Sequence, residues 1–118
     1  MRKPTRNSLK RGLDKVFSQI VRKRKKCERC GKQPVQCCHI FGRRYLNTRW
    51  LLDNALALCS DCHINFAHQK PILFAEFVKK LLGEDKYELL KEAHNQIYKP
   101  TLEDLQIKLK VLQENGRK

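Results

Sequence analysis

No stretch of this sequence stays apolar long enough to cross a bilayer, and none near the N-terminus has the apolar core of a signal peptide. Membrane insertion and secretion are therefore not expected, and a soluble, reducing, cytoplasmic setting is. There is no internal repeat of supersecondary size, and no low-complexity segment apart from one basic block. Acidic residues are scarce where the chain begins. Residues 1–26 hold Asp14 alone against 11 Lys and Arg, a net charge of +10, whereas residues 27–118 carry 15 basic against 11 acidic residues, a net +4. With 118 residues in all, there is no room for a second full domain.

What is present is positive charge. The formal net charge of +14 and a pI near 9.8 point to a polyanionic partner, nucleic acid first. From Ser8 to about Arg24, the apolar residues Leu9, Leu13, Val16, Phe17, Ile20 and Val21 recur at helical spacing, with Ser8 as the expected N-cap. The block Arg22, Lys23, Arg24, Lys25 and Lys26 closes this helix. Like charges at that density repel unless a polyanion neutralises them, so these five residues are expected to contact phosphate.

Six cysteines in so short a chain suit either a disulfide framework or a metal site, and spacing decides. Cys27-x2-Cys30 and Cys59-x2-Cys62 are two knuckles, each able to offer two thiolates to one tetrahedral Zn²⁺. Gly31 allows the tight turn after the first pair. Such a closed four-thiolate site is structural, and it would serve folding. Arg29 and Lys32, with Lys25 and Lys26 upstream, would offset its negative charge.

Beyond Pro71 the pattern becomes helical. Phe74, Phe77, Val78, Leu81 and Leu82 share one face that Gly83 ends, and Glu84 to about Asn95 reads as a second helix with Tyr87, Leu90 and His94 on one side. Pro100 breaks the chain, and Thr101 with Asp104 resembles a cap opening a last helix to about Asn115. Its Leu102, Leu105, Leu109 and Leu112 form a narrow stripe. Two uses of that stripe stand side by side: packing back on its own domain, or a short homodimer seam.

Between and after the knuckles lie His39, Asn54 and His63, in that order. Nested in a four-cysteine frame, they resemble the pattern of the HNH (ββα-metal, His-Me finger) endonucleases. Thr48 to Cys62, with Gly83 to Tyr87 downstream, is similar to the phage NinG/Rap recombination nucleases. The similarity covers roughly residues 27 to 95.

The resemblance implies an α+β fold: a small zinc-stapled ββα-metal module over residues 27–70, flanked by a basic helix over 1–26 and C-terminal helices over 71–118. It also implies metal-dependent hydrolysis of phosphodiester bonds in double-stranded or branched DNA, such as Holliday junctions or D-loops. His39 would be the general base, a role that suits an imidazole near neutral pH. Asn54 would tie the hairpin together or orient His39, and His63 would bind the catalytic Mg²⁺ or Mn²⁺, with Zn²⁺ an alternative. Three roles are open to His68: joining the metal shell, contacting phosphate, or capping local structure. Where many HNH enzymes place an acidic or histidine ligand, this chain has Cys38. A thiolate suits Zn²⁺ better than Mg²⁺, so Cys38 is either a softer-ion ligand or a bystander. Cys37 is read as a packing residue, with zinc ligation the alternative. Arg43, Arg44 and Arg49 are expected on the DNA backbone, and Trp50 in the core. The rival readings are a non-catalytic zinc-ribbon nucleic-acid-binding protein and a nuclease directed at RNA.

Overall fold

The computed structural model describes residues 3–116. Helix α1 runs from Arg6 to Arg22, two residues ahead of the expected start. The cap is Thr5 rather than Ser8: the Thr5 hydroxyl accepts from the Ser8 amide at 3.1 Å, while the Ser8 hydroxyl accepts from the Thr5 amide at 2.9 Å. Ser8 thus occupies the third helical position of a capping box. The apolar stripe of α1 buries Leu9, Leu13, Phe17 and Val21.

Strands β1 (Gln36–His39) and β2 (Ala55–Leu58) pair antiparallel, with His39 opposite Ala55 and Gln36 opposite Leu58. All four residues of β2 are buried. This continuous apolar run is what a strand covered on both faces requires. The first knuckle closes its outer edge, since the Glu28 amide donates to the Ala57 carbonyl at 2.8 Å and the Glu28 carboxylate accepts from the Ala57 amide at 2.7 Å. Residues 40–54 link the strands through a single turn, α2 (Leu46–Arg49), and a 3₁₀ turn, Leu52–Asn54.

After β2 comes a π-helical segment, Cys62–His68, followed by α3 (Pro71–Leu82), α4 (Glu84–Asn95) and α5 (Leu102–Gly116). Pro71 opens α3 where an absent amide costs nothing, and Gly83, at φ 88°, ends it. Thr101 and Asp104 exchange backbone-to-side-chain bonds before α5, as the sequence suggests. Trp50 is buried, as expected.

Helix α1 packs on α5 and on both strands, so a single core joins its stripe to the hairpin and to Leu105 and Leu112. The leucine stripe of α5 is accordingly turned inward: Leu105 and Leu112 are buried, and Leu109 lies 3.5 Å from where a side chain on Gly12 would begin. Of the four leucines only Leu102 is exposed. Helix α1, within the expected basic helix or arm over residues 1–26, contributes Leu9, Leu13, Phe17 and Val21 to this core. Burying a leucine such as Leu13 or Leu105 contributes about 1.5–3 kcal/mol, so α1 and α5 stabilise each other through several such contacts. Among the described residues, no helix is long and apolar enough to cross a membrane.

Candidate metal centre and histidine site

Sγ atoms of Cys27, Cys30, Cys59 and Cys62 all lie within 4.8 Å of one another, a donor set consistent with a structural zinc site. Gly31, at φ 80°, makes the turn of the first knuckle, and the Gly31 amide donates to the Cys27 carbonyl. Amides also point at sulfur: Cys30 N and Cys62 N lie 3.5 Å from the Sγ atoms of Cys27 and Cys59. Burial pushes the Cys27 thiol up, but hydrogen bonds from the backbone of Cys59, Cys30 and Arg29 outweigh it and bring it down to about 6. A thiolate is therefore accessible at Cys27 near neutral pH, whereas burial and the neighbouring sulfurs push the Cys62 thiol up to about 12. Arg29 donates to Cys62 Sγ at 3.4 Å while its guanidinium stacks 3.7 Å from the Phe66 ring centroid.

His39 ends β1 and is half-buried. Its Nε2 donates to the Arg49 carbonyl at 2.9 Å, and its ring stacks on Phe17 with centroids 5.3 Å apart. The bond to a carbonyl fixes the proton on Nε2 and leaves Nδ1 as the basic nitrogen. Burial holds the ring below the usual imidazole range. Arg43 and Arg49 push the same way, against the Arg49 carbonyl and Asp14. Beside His39 is a hollow of about 200 Å³, lined also by Asp14, Ser18, Cys37 and Arg43.

Asn54 is fully buried and its amide is saturated. Oδ1 accepts from the Phe41 amide at 2.8 Å, and Nδ2 donates to the carbonyls of Phe41 at 3.0 Å and Thr48 at 2.9 Å. One side chain thereby joins the end of β1, the α2 turn and the start of β2. This arrangement sets the distance from His39 to Arg49.

His63 donates from Nδ1 to Gln36 Oε1 at 2.8 Å, leaving Nε2 free. Its ring meets that of His68 edge-on, with centroids 4.6 Å apart. Burial, with the neighbouring rings of His68 and His39, holds the His63 imidazole below its usual range. The pairing depends on the π-helical segment. In an α-helix, residues five apart point in different directions, but i→i+5 winding stacks them on one face. Imidazole nitrogens brought side by side fit a transition-metal or zinc ion better than Mg²⁺, which prefers oxygen.

The neighbouring cysteines stand apart from this pair. Cys38 alternates to the face opposite His39, is buried, and has its thiol pushed up to about 12 by burial. Its nearest polar contact is the His39 carbonyl, at 3.7 Å. It behaves as a core residue. Cys37, on the His39 side, is pushed up to about 11 by burial. Among the described residues, the four knuckle cysteines alone bring three or more ligand atoms together.

The basic residues divide. Arg24 donates to the carbonyls of Ala55 and Leu52 and to Glu28, so it clamps α1 to the hairpin. Arg49 and Arg43 both donate to Asp14. Arg22 donates to the Ser18 carbonyl, and Lys23 to that of Gly116. Lys25, Lys26 and Arg44 are exposed. The most consequential residue outside the expected set is Asp14, which also accepts from Trp50 Nε1 at 2.9 Å. Its signal in the sequence is its isolation as the sole acid among the first 26 residues.

No protein-family model, curated protein or solved structure matches this chain.

Proposed function

We propose that this chain is a metal-dependent DNA endonuclease of HNH type, its hairpin stapled by a Zn(Cys)4 site, with His39 as the general base. The observation that carries the reading is the His39 to Arg49 bond: it fixes the tautomer with Nδ1 unprotonated, and burial keeps the ring neutral near pH 7. Asn54 holds the loop that supplies the Arg49 carbonyl. His63, through Nε2, and His68 are the residues that would hold the catalytic cation. Such an ion supplies charge stabilisation at the phosphate and the leaving 3′-oxygen. His39 accepts a proton from the attacking water at Nδ1. Arg43, once drawn from Asp14, and Arg44 orient the phosphodiester backbone. Preference for branched recombination intermediates follows only from the likeness to NinG/Rap nucleases.

The test is incubation of plasmid and four-way-junction DNA with the zinc-loaded protein and Mg²⁺, Mn²⁺ or Zn²⁺, with RNA in parallel. Metal-dependent nicking that falls at least about 100-fold in His39→Ala, with zinc content and helicity unchanged, supports the reading. Nicking at the parent rate overturns His39 as base. A second reading, a non-catalytic zinc-ribbon nucleic-acid-binding protein, is favoured by the confinement of close ligand clustering to the knuckles among the described residues. Salt-sensitive binding without cutting by any of the three ions would establish it.

A further inference from the structure

Helices α4 and α5 are joined by the irregular segment 96–101, which contains Ile97, the most exposed large apolar residue among those described, at 91%. Beside it Tyr98 is 37% exposed and, across a hollow of about 450 Å³, Tyr45 is 47% exposed. Tyr45 meets His94 only edge-on, with centroids 4.4 Å apart, and Lys108 reaches Tyr98 from 5.6 Å. Arg44 and Lys99 stand on the rim, and no acidic residue lines the hollow. Asn95 and Gln96 add amides that can both donate and accept.

These features specify an occupant. Exposed aromatic and aliphatic surface calls for a flat apolar face. The rim cations, in a chain of net charge +14, call for an anion attached to that face. Amides suit the polar edge between the two. A nucleotide combines all three, and only one whose base has left its stack can present a face to a tyrosine. We propose that this hollow binds an unpaired nucleotide, its base against Tyr98 and Tyr45 and its phosphates on Arg44 and Lys99. The inference rests on the nucleic-acid part of the functional reading, not on its chemistry.

Position links the two sites. Tyr45 caps α2, whose first residues line the hollow and whose last, Arg49, holds His39 through its carbonyl. A strand entering the hollow is thereby placed one helical turn from the base. DNA with unpaired nucleotides would be selected over continuous duplex before any bond is broken.

The test uses the full zinc-loaded chain without added divalent cations, so that binding is read apart from cutting. Fluorescence anisotropy follows a single strand, a duplex of equal length and a four-way junction, and a 2-aminopurine-labelled single strand reports stacking. Tyr98→Ala is expected to weaken single-strand binding on the order of tenfold, leave duplex binding unchanged and abolish 2-aminopurine quenching. Tyr98→Trp should restore single-strand binding and quenching, while Ile97→Ser should give a smaller loss confined to the single strand. Equal losses on both nucleic acids, or none, overturn the proposal. So does a concentration-dependent dimer in sedimentation that Ile97→Ser abolishes, since the segment then covers a second copy. Absence of cutting alongside discriminating binding would remove the nuclease chemistry and leave this site standing.

Discussion

Arg49 accepts the Nε2 proton of His39 on its carbonyl oxygen at 2.9 Å, and its own guanidinium is fixed to the Asp14 carboxylate by Nε at 3.0 Å and Nη2 at 2.5 Å. The orientation of an imidazole in the hairpin is therefore set by a carboxylate on α1. Asp14→Asn removes the charge that holds two arginines. Burial pushes the Asp14 carboxyl up, but hydrogen bonds from Arg49 and Trp50 and the charges of Arg49 and Arg43 outweigh it and hold the group below its usual range. Because hydrogen bonds to charged groups are worth about 1.5–3 kcal/mol, urea denaturation should show a loss of that order. The ring-proton NMR signals of His39 should broaden or shift in the variant while those of His94 stay in place.

Asn54→Ala leaves the Phe41 amide and carbonyl without their side-chain partner and removes one of the bonds to the Thr48 carbonyl, which keeps those from the Trp50 and Leu51 amides. With a penalty of about 1–3 kcal/mol for each orphaned buried group, the loss should reach about 3 kcal/mol. Denaturant midpoints and amide exchange at Phe41 check it. Unchanged exchange at Phe41 would contradict the clamp.

Arg24 and Arg44 should separate stability from binding. Arg24→Gln deletes bonds to Ala55, Leu52 and Glu28 and should cost about 1–3 kcal/mol of stability with little change in the salt dependence of DNA binding. Arg44→Gln should leave the melting temperature alone and lower the log–log salt slope by about one unit. Paired melting and salt-titration curves are decisive, and exchanged phenotypes would reverse the assignment.

Acid stability has a defined sign at His39. Its folded-state pKa lies below the unfolded value, so the unfolded chain binds the proton first as pH falls. Stability is fully present above the unfolded pKa of about 6.5 and is lost as pH drops through the lowered folded value. His39→Gln should flatten that part of the stability curve. Thermal unfolding of both proteins between about pH 7.5 and 5 measures the difference.

Chelation should act first on the hairpin. A tight chelator such as phenanthroline should accelerate exchange at the amides of Ala55–Leu58 while those of α1 and α5 persist longer. Stoichiometric metal release measured alongside exchange tests the coupling. Loss of metal with full protection retained would show the hairpin to be independent of it.

Local chemistry made much of the architecture legible. Gly83 and the pattern from Phe74 to Leu82 mark α3, and Thr101 with Asp104 marks the start of α5, because caps and apolar periodicity act within a few residues. The two x2 cysteine pairs foretell their own convergence. What stayed hidden depends on distant partners. Arg24 and Arg49 read as phosphate contacts until tertiary packing supplies Leu52, Ala55 and Asp14. The His63 and His68 contact needs a π-helical winding that five-residue spacing does not announce. Cys38 is adjacent to His39 in sequence but turned from it by strand alternation.

The pairing of Glu28 with Ala57 has a further consequence for handling the protein. Glu28 lies between the first two thiols, so its grip on β2 depends on the knuckle keeping its shape. When the knuckle loosens, the outer rim of Ala-Leu-Ala-Leu becomes a bare template for strands of other molecules. Demetallated protein should therefore not simply unfold but self-associate into β-rich precipitate, making solubility a sensitive gauge of metal loading.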